Sequence, residues 1–112
     1  MSQLNEDEMS AVRAWLSRNE FELISSIGPI KRSFGDRQET WARDGCLIRL
    51  TRDRGQWWYD MSREGAEFWL DVDTVAGAMG FKLNQPMERV SCVASIDDRV
   101  FLALGPSEGH AP

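Results

Sequence analysis

Histidine is almost absent from this chain of 112 residues, and its single copy, His110, stands in a Gly/Pro/Ser-rich stretch at the C-terminal end. One such histidine excludes histidine-based catalytic triads and metal sites built from several histidines. Cysteine is also scarce, since Cys46 and Cys92 are the only two and lack CxxC spacing. We therefore interpret both as small core residues with free thiols in a reducing cytoplasm.

Long apolar runs and nucleotide-binding motifs are missing as well. No apolar run approaches the ~20 residues that span a bilayer. The N-terminal sequence MSQLNEDEMS is acidic where a secretion signal would be basic and then apolar. The chain contains no P-loop and no dinucleotide GxGxxG pattern. These absences predict a cytoplasmic protein that contacts no membrane and carries no cofactor or metal ion.

No combination of residue types in the chain supports catalysis, so we predict that the protein is not an enzyme. The 18 acidic residues leave one alternative open, a small hydrolase that uses carboxylates alone. Its candidates are Asp60, Asp71 and Asp73. For Asp71 and Asp73, a capping role at a helix start is a sufficient explanation.

The balance of charge changes along the chain, whose net charge is −5. Residues 1–30 carry five acids and two bases, residues 31–63 five acids and eight bases, and residues 64–112 eight acids and three bases. The bases of the middle block are interleaved with acids. Nucleic-acid binders usually carry a continuous basic patch in a basic domain, so DNA and RNA are not predicted partners.

A helix is predicted for residues 5–18, followed by a strand over residues 20–26. Asn5 is a suitable N-cap, and the acids at the next three positions suit the positive end of the helix dipole. Gly28–Pro29 is expected to break the strand. Apolar residues of the helix recur at helical spacing as one stripe: Met9, Val12, Trp15 and Leu16.

Two hairpins are predicted next. Asp44–Gly45 and Arg54–Gly55 are pairs that suit two-residue turns, in which both central residues take positive φ. A two-residue loop at the second pair sets Leu50 opposite Tyr59, whereas a three-residue loop with a bulge pairs Leu50 with Trp58. We favour the two-residue loop because it separates apolar from charged side chains. One face then carries Ile48, Leu50, Trp57, Tyr59 and Met61, and the other carries Leu47, Arg49, Thr51, Trp58 and Asp60.

The C-terminal half adds one strand and a set of helices. The strand is predicted over Glu67–Leu70, and either Asp71 or Asp73 then caps a short helix. Pro86 suits the first turn of a last helix, which Asp97–Asp98 divides into two pieces.

The whole pattern predicts an α+β fold: an antiparallel β-meander of four to five strands with an N-terminal helix and C-terminal helices packed on one face. Residues 1–105 are expected to form a single domain. Residues 106–112 are expected to form a flexible C-terminal tail.

Trp57 and Trp58 are adjacent in one predicted strand, where neighbouring side chains point to opposite faces. Only one of the two indoles then faces the core, and the other is available to a partner or to a second layer. Tryptophan and arginine are among the residue types most enriched at binding hot spots. The predicted protein-binding surface consists of Trp58, Arg49, Asp60, Arg52 and Arg54.

Residues 43–80 contain the motif RLTRDRGQWWYDMS followed by WLDVDTVAGAMG. This combination resembles a type of small bacterial immunity protein encoded beside polymorphic toxins. The resemblance implies a cytoplasmic, non-catalytic protein that binds and neutralises a cognate toxin. The acidic segments on either side would fit a basic toxin such as a nuclease through complementary charge. The residues that carry the resemblance are Asp53, Arg54, Gly55, Gln56 and Trp57, then Trp69, Leu70 and Asp71.

Another class of protein has comparable size and composition. Small acidic α+β proteins act as dimeric chaperone-like adaptors that escort secreted effectors. The aromatic sheet face would then bury against a second copy, or bind a client segment by strand addition. The expected partner is therefore a protein, either a toxin or an effector, and the chain is expected to be a monomer or a homodimer.

Overall fold

The structure, a computed structural model, describes residues 3–30, 36–80 and 85–105, and the predicted tail at 106–112 lies outside them. Within these residues the strands are β1 (Gln3–Leu4), β2 (Glu22–Ile30), β3 (Asp36–Arg43), β4 (Cys46–Asp53), β5 (Gln56–Arg63) and β6 (Leu70–Asp71). The helices are α1 (Glu6–Arg18), α2 (Val72–Ala78), α3 (Pro86–Val93) and α4 (Asp98–Leu104). The predicted α+β class is confirmed. None of the described helices is both long and apolar enough to cross a membrane.

All of these strands belong to one antiparallel sheet. Its order is β1-β5-β4-β3-β2, and β6 pairs with β5 further along the same strand. The helices pack on one face, here called the inner face, where their buried side chains and those of the central strands form one core. The opposite side of the sheet is called the outer face. The strand residues in the core are Leu4, Trp41, Cys46, Ile48, Leu50, Trp57, Tyr59 and Met61.

Helix α1 begins at the predicted cap. The Asn5 side chain accepts a hydrogen bond from the Glu8 amide (2.8 Å), and the Glu8 carboxylate accepts one from the Asn5 amide (3.0 Å). This reciprocal pair satisfies two amides that the first turn leaves without helical partners. Met9, Val12 and Leu16 are fully buried, and each such side chain contributes roughly 1.5–3 kcal/mol when removed from water. The predicted apolar stripe therefore fixes α1 on the sheet.

Both predicted hairpins are confirmed, with two-residue turns. The φ angles are 49° at Asp44 and 84° at Gly45, and 56° at Arg54 and 81° at Gly55. Leu50 consequently lies opposite Tyr59, as the shorter loop requires. The apolar set of the predicted strands is buried on the inner face, and the set that contains the charged residues is half-buried on the outer face.

Two strand predictions were wrong in extent. Strand β2 continues through Gly28–Pro29 to Ile30, with a register shift after Ile27 in place of a break. Proline is tolerated there because β2 is an edge strand, where a missing amide need not cost a ladder hydrogen bond. Strand β6 contains only Leu70–Asp71, and residues 67–69 make no ladder pair with β5. Phe68 instead stacks on Phe101 of α4, with ring centroids 4.9 Å apart.

The choice between the two aspartates near α2 is decided by the structure. Asp71 is the N-cap and accepts a hydrogen bond from the Thr74 amide (3.1 Å). Pro86 occupies the first turn of α3, and Asp97 caps α4, so the predicted division of the last helix is confirmed. The short strand β1 has no counterpart in the predictions, since two residues show no periodicity.

Candidate functional site

The two adjacent indoles of β5 lie on opposite faces of the sheet. Trp57 is 5% exposed in the core, whereas Trp58 is half-buried on the outer face. Trp58 stands opposite Thr51 of β4 on one side and Gln3 of β1 on the other. No helix in the described parts of the chain has its buried residues on that face, so the Trp58 ring is accessible to a partner.

Arg49 and Asp60 form the polar centre of the outer face. They lie directly opposite each other in β4 and β5. The Arg49 guanidinium donates two hydrogen bonds to the carboxylate, Nε to Oδ1 at 3.0 Å and Nη2 to Oδ2 at 2.6 Å. A two-point contact of this kind fixes the plane of the guanidinium as well as its position. Sequence reasoning brought the two residues together correctly, because the register follows from the turn at Arg54–Gly55.

Trp69 completes this cluster, although it is not among the predicted surface residues. The Arg49 guanidinium carbon lies 4.0 Å from the centroid of the Trp69 ring, within the range of a cation–π contact. Trp69 is half-buried. The outer-face cluster, defined here as Trp58, Arg49, Asp60 and Trp69, therefore combines two accessible indoles with one oriented ion pair. The only sequence signal for Trp69 was its membership of the motif that carries the resemblance.

The other two predicted surface residues lie elsewhere. Arg52 is opposite Arg37 and Trp57 in the register, which assigns it to the inner-face row at the end of the sheet. Its Nε atom is buried with no hydrogen-bond partner in the part of the chain that the structure describes. Arg54 is at the turn, largely exposed, with its Nε 4.0 Å from Asp53. The register thus places Arg52 on the face opposite the outer-face cluster, whereas Arg54 lies at the turn that joins β4 and β5.

A second polar network lies between the sheet and the C-terminal helices. The Tyr59 hydroxyl donates a hydrogen bond to Asp73, and the Arg89 guanidinium donates one to Asp73 (2.9 Å) and one to the Tyr59 oxygen (3.1 Å). Burial, together with the hydrogen bond to Asp73, raises the pKa of Tyr59 above its ordinary value. The network joins β5, α2 and α3. Sequence reasoning missed it because the three residues come from separate elements.

Each carboxylate named for the hydrolase alternative has a structural contact. Asp60 binds Arg49, Asp71 caps α2, and Asp73 binds Arg89 and Tyr59. Asp60 and Asp71 are also opposite each other in the β5–β6 register. Among the residues that the structure describes, no three of the His, Cys, Asp and Glu side chains are grouped so as to hold a metal ion.

The two ends of the sheet differ in charge. At one end, where β2 and β4 begin and β3 and β5 finish, four carboxylates accompany two guanidinium groups: Glu20, Glu22, Asp44 and Glu64 with Arg43 and Arg63. At the other end, the described side chains of the strands and turns include three guanidinium groups and one carboxylate: Arg37, Arg52 and Arg54 with Asp53. For the strand ends and turns alone, the first is called the acidic end and the second the basic end; the start of α1 also lies near the second, where Glu6 accepts a hydrogen bond from Trp57.

Comparison with known proteins adds no relative from which a role could be transferred. No family model, no curated protein and no solved structure matches the chain. The candidate site is the outer face, with its accessible indoles and its oriented ion pair.

Proposed function

We propose that this protein is a non-catalytic protein-binding module that docks its partner on the outer face, and that it acts as an immunity protein against a cognate bacterial toxin in the cytoplasm. The observation that supports the proposal is the outer-face cluster. Tryptophan and arginine are the residue types most often found at binding hot spots, and here they are accessible on a rigid sheet.

The geometry of the cluster favours recognition of another protein. Paired strands keep Trp58 in place and the Arg49 guanidinium packs on Trp69, so less side-chain entropy is lost when a partner binds. The Arg49 guanidinium is oriented by Asp60 and packs on Trp69, which leaves its remaining donors in a fixed direction. An oriented donor beside apolar ring surface suits a partner that presents a carbonyl or carboxylate next to an apolar side chain.

The charge of the chain supports a basic partner. The net charge is −5, and the acidic end of the sheet carries Glu20, Glu22, Asp44 and Glu64. Acidic surface next to a docking face accelerates association with a basic protein such as a nuclease and disfavours acidic competitors. Binding of this kind weakens as salt is added, because exposed charges are screened over about 10 Å at 0.1 M salt.

The proposal is tested by expressing the chain together with the products of neighbouring genes. Rescue of growth from one toxic product, accompanied by a purified one-to-one complex, is the expected result. Trp58→Ala should weaken that complex about thirtyfold or more, the loss typical of a hot-spot aromatic residue. Failure to bind or neutralise any adjacent gene product would count against the proposal.

The matched control is Val100→Ala, an exposed apolar residue on α4, away from the sheet. This change should leave the affinity unaltered. Equal losses from both variants would show that the outer face is not the docking surface. A stable dimer that buries Trp58 in the absence of a partner would instead support the adaptor function.

A further inference from the structure

Strand β2 forms an edge of the sheet with an exposed main chain. Its only strand neighbour among the described residues is β3, which occupies one side of it. An edge of this kind presents a row of backbone donors and acceptors that fit another β-strand. The chemistry of the edge therefore specifies its occupant as an extended polypeptide segment.

The side chains of this edge are unusually apolar. Leu23, Ile24 and Ile27 are 48%, 56% and 49% exposed, and they are half of the large exposed aliphatic and thioether residues of the described chain. The register shifts between Leu23 and Ser25, so Ile24 has no directly opposed residue in β3. Natural edge strands usually carry charged residues, lysine above all, that discourage pairing. Between Leu23 and Ile27 this strand carries none.

The charges at the two ends of the sheet identify which strand fits. Strand β2 begins at the acidic end with Glu22, shortly after Glu20, and finishes at the basic end, near Arg37 at the start of β3. In the sequence, Lys31 and Arg32 follow β2 directly. A second copy of the chain, paired antiparallel, brings each acidic end beside the basic end of its neighbour. Like-charged ends would meet if the strands paired in parallel.

We propose that two copies of this chain associate through antiparallel pairing of their β2 strands, which joins their sheets into one. A two-fold axis perpendicular to the sheet generates the contact, so the same surface serves both copies. The pairing segment is short, because Pro29 and the register shifts limit regular pairing. The dimer is therefore weak and reversible. It leaves the outer-face cluster accessible on both copies, and it does not depend on the proposed immunity function.

Sedimentation velocity of the full chain tests the proposal over about 5 to 500 µM, the range in which a small interface dissociates. A concentration-dependent monomer–dimer equilibrium is expected. Ile24→Lys places a charge on the edge and should raise the dissociation constant at least about tenfold. The control is Leu102→Lys on α4, because Leu102 is also 56% exposed and should leave the equilibrium unchanged. Ile27→Lys is the second edge variant, and near-ultraviolet circular dichroism confirms folding.

A second pair of variants tests whether the charges at the ends of β2 contribute to pairing. Glu22→Lys should weaken the dimer, whereas Glu67→Lys makes the same change in net charge at an exposed site away from β2 and should not. Added salt should also raise the dissociation constant. A monomer at the highest concentration overturns the proposal. The proposal is also overturned if the edge and control variants raise the dissociation constant equally. It is overturned as well if Trp58→Ala dissociates the dimer and Ile24→Lys does not.

Discussion

Trp57 and Trp58 are consecutive in the chain, yet their indoles lie on opposite faces of the sheet and in different surroundings. The Trp57 ring N–H donates a hydrogen bond to Glu6 (2.9 Å), and the Arg13 guanidinium carbon lies 5.3 Å from the ring centroid. Trp57 thereby connects the start of α1 to β5. Trp58 is half-buried on the other side, where no described helix packs.

This difference predicts unequal effects on stability. Trp57→Ala should lower the free energy of unfolding by about 3–5 kcal/mol, because it leaves a cavity in the core and removes the partner of Glu6. Trp58→Ala should cost about 1 kcal/mol, the usual loss at a partly exposed site. Urea denaturation of both variants measures the two values. A larger loss for Trp58→Ala would show that the outer face contributes to the core.

The Arg49–Asp60 pair should show measurable coupling. Both side chains are mostly buried, at 25% and 28% exposure, and they meet at two points. A double-mutant cycle with Arg49→Met and Asp60→Asn should give a coupling energy of about 1 kcal/mol.

The ion pair between Arg63 and Asp98 is the control for that cycle. It has a single contact of 2.6 Å, and its Asp98 side chain is 67% exposed. Solvent screening should hold its coupling energy below about 0.5 kcal/mol. Equal coupling in the two cycles would contradict the role given to burial and to two-point geometry.

Replacement of Asp71 and of Asp73 should lower the free energy of unfolding by different amounts, although Asp71 directly precedes α2 and Asp73 lies in its first turn. Asp71→Ala removes a helix cap and should cost about 1 kcal/mol. Asp73→Ala should cost about 2–3 kcal/mol, because it leaves the Arg89 guanidinium and the Tyr59 hydroxyl without their acceptor. Thermal or chemical denaturation compares them. A smaller loss for Asp73→Ala would argue against the network.

Cys46 should make stability fall at alkaline pH. Burial raises the pKa of this thiol from 9.0 to about 11 in the folded protein. The folded state therefore retains the proton more strongly than the unfolded chain. The stabilisation that this thiol gives to the folded state is complete below pH 9. It is lost as the pH rises towards 11, which lowers the free energy of unfolding by about 2–3 kcal/mol. Unfolding free energies measured from pH 7 to 11 follow this loss.

The variant Cys46→Ala isolates the effect between pH 9 and 10. Above pH 10, Tyr59 adds a loss of the same sign, because its pKa is also raised by burial. The variant should show a flatter profile than the natural chain in the lower interval. A profile that stays equally steep without the thiol would disprove its role.

Local patterns predicted much of this fold because their causes are local. Asn5 and Glu8 make a cap within a single turn, and the two residues of Arg54–Gly55 set a hairpin register by their φ angles. That register placed Arg49 opposite Asp60 and put Trp58 on the outer face. Three of the four residues of the outer-face cluster therefore followed from turn chemistry alone.

The remaining features required contacts between distant parts of the chain. Phe68, just before β6, stacks on Phe101 of α4, and the adjacent Trp69 contacts the Arg49 guanidinium. Arg52 belongs to the inner-face row because side chains alternate along β4, so it is separate from Arg49 despite being three positions away.

Local sequence specifies the helix caps, the two tight turns and the faces of the central strands, since each depends on backbone preferences over a few residues. Packing of the whole chain sets which groups from separate elements meet, such as Tyr59, Asp73 and Arg89, and leaves β2 as an edge strand among the described residues. Those outcomes depend on how the elements fill one shared core, and no short segment contains that information.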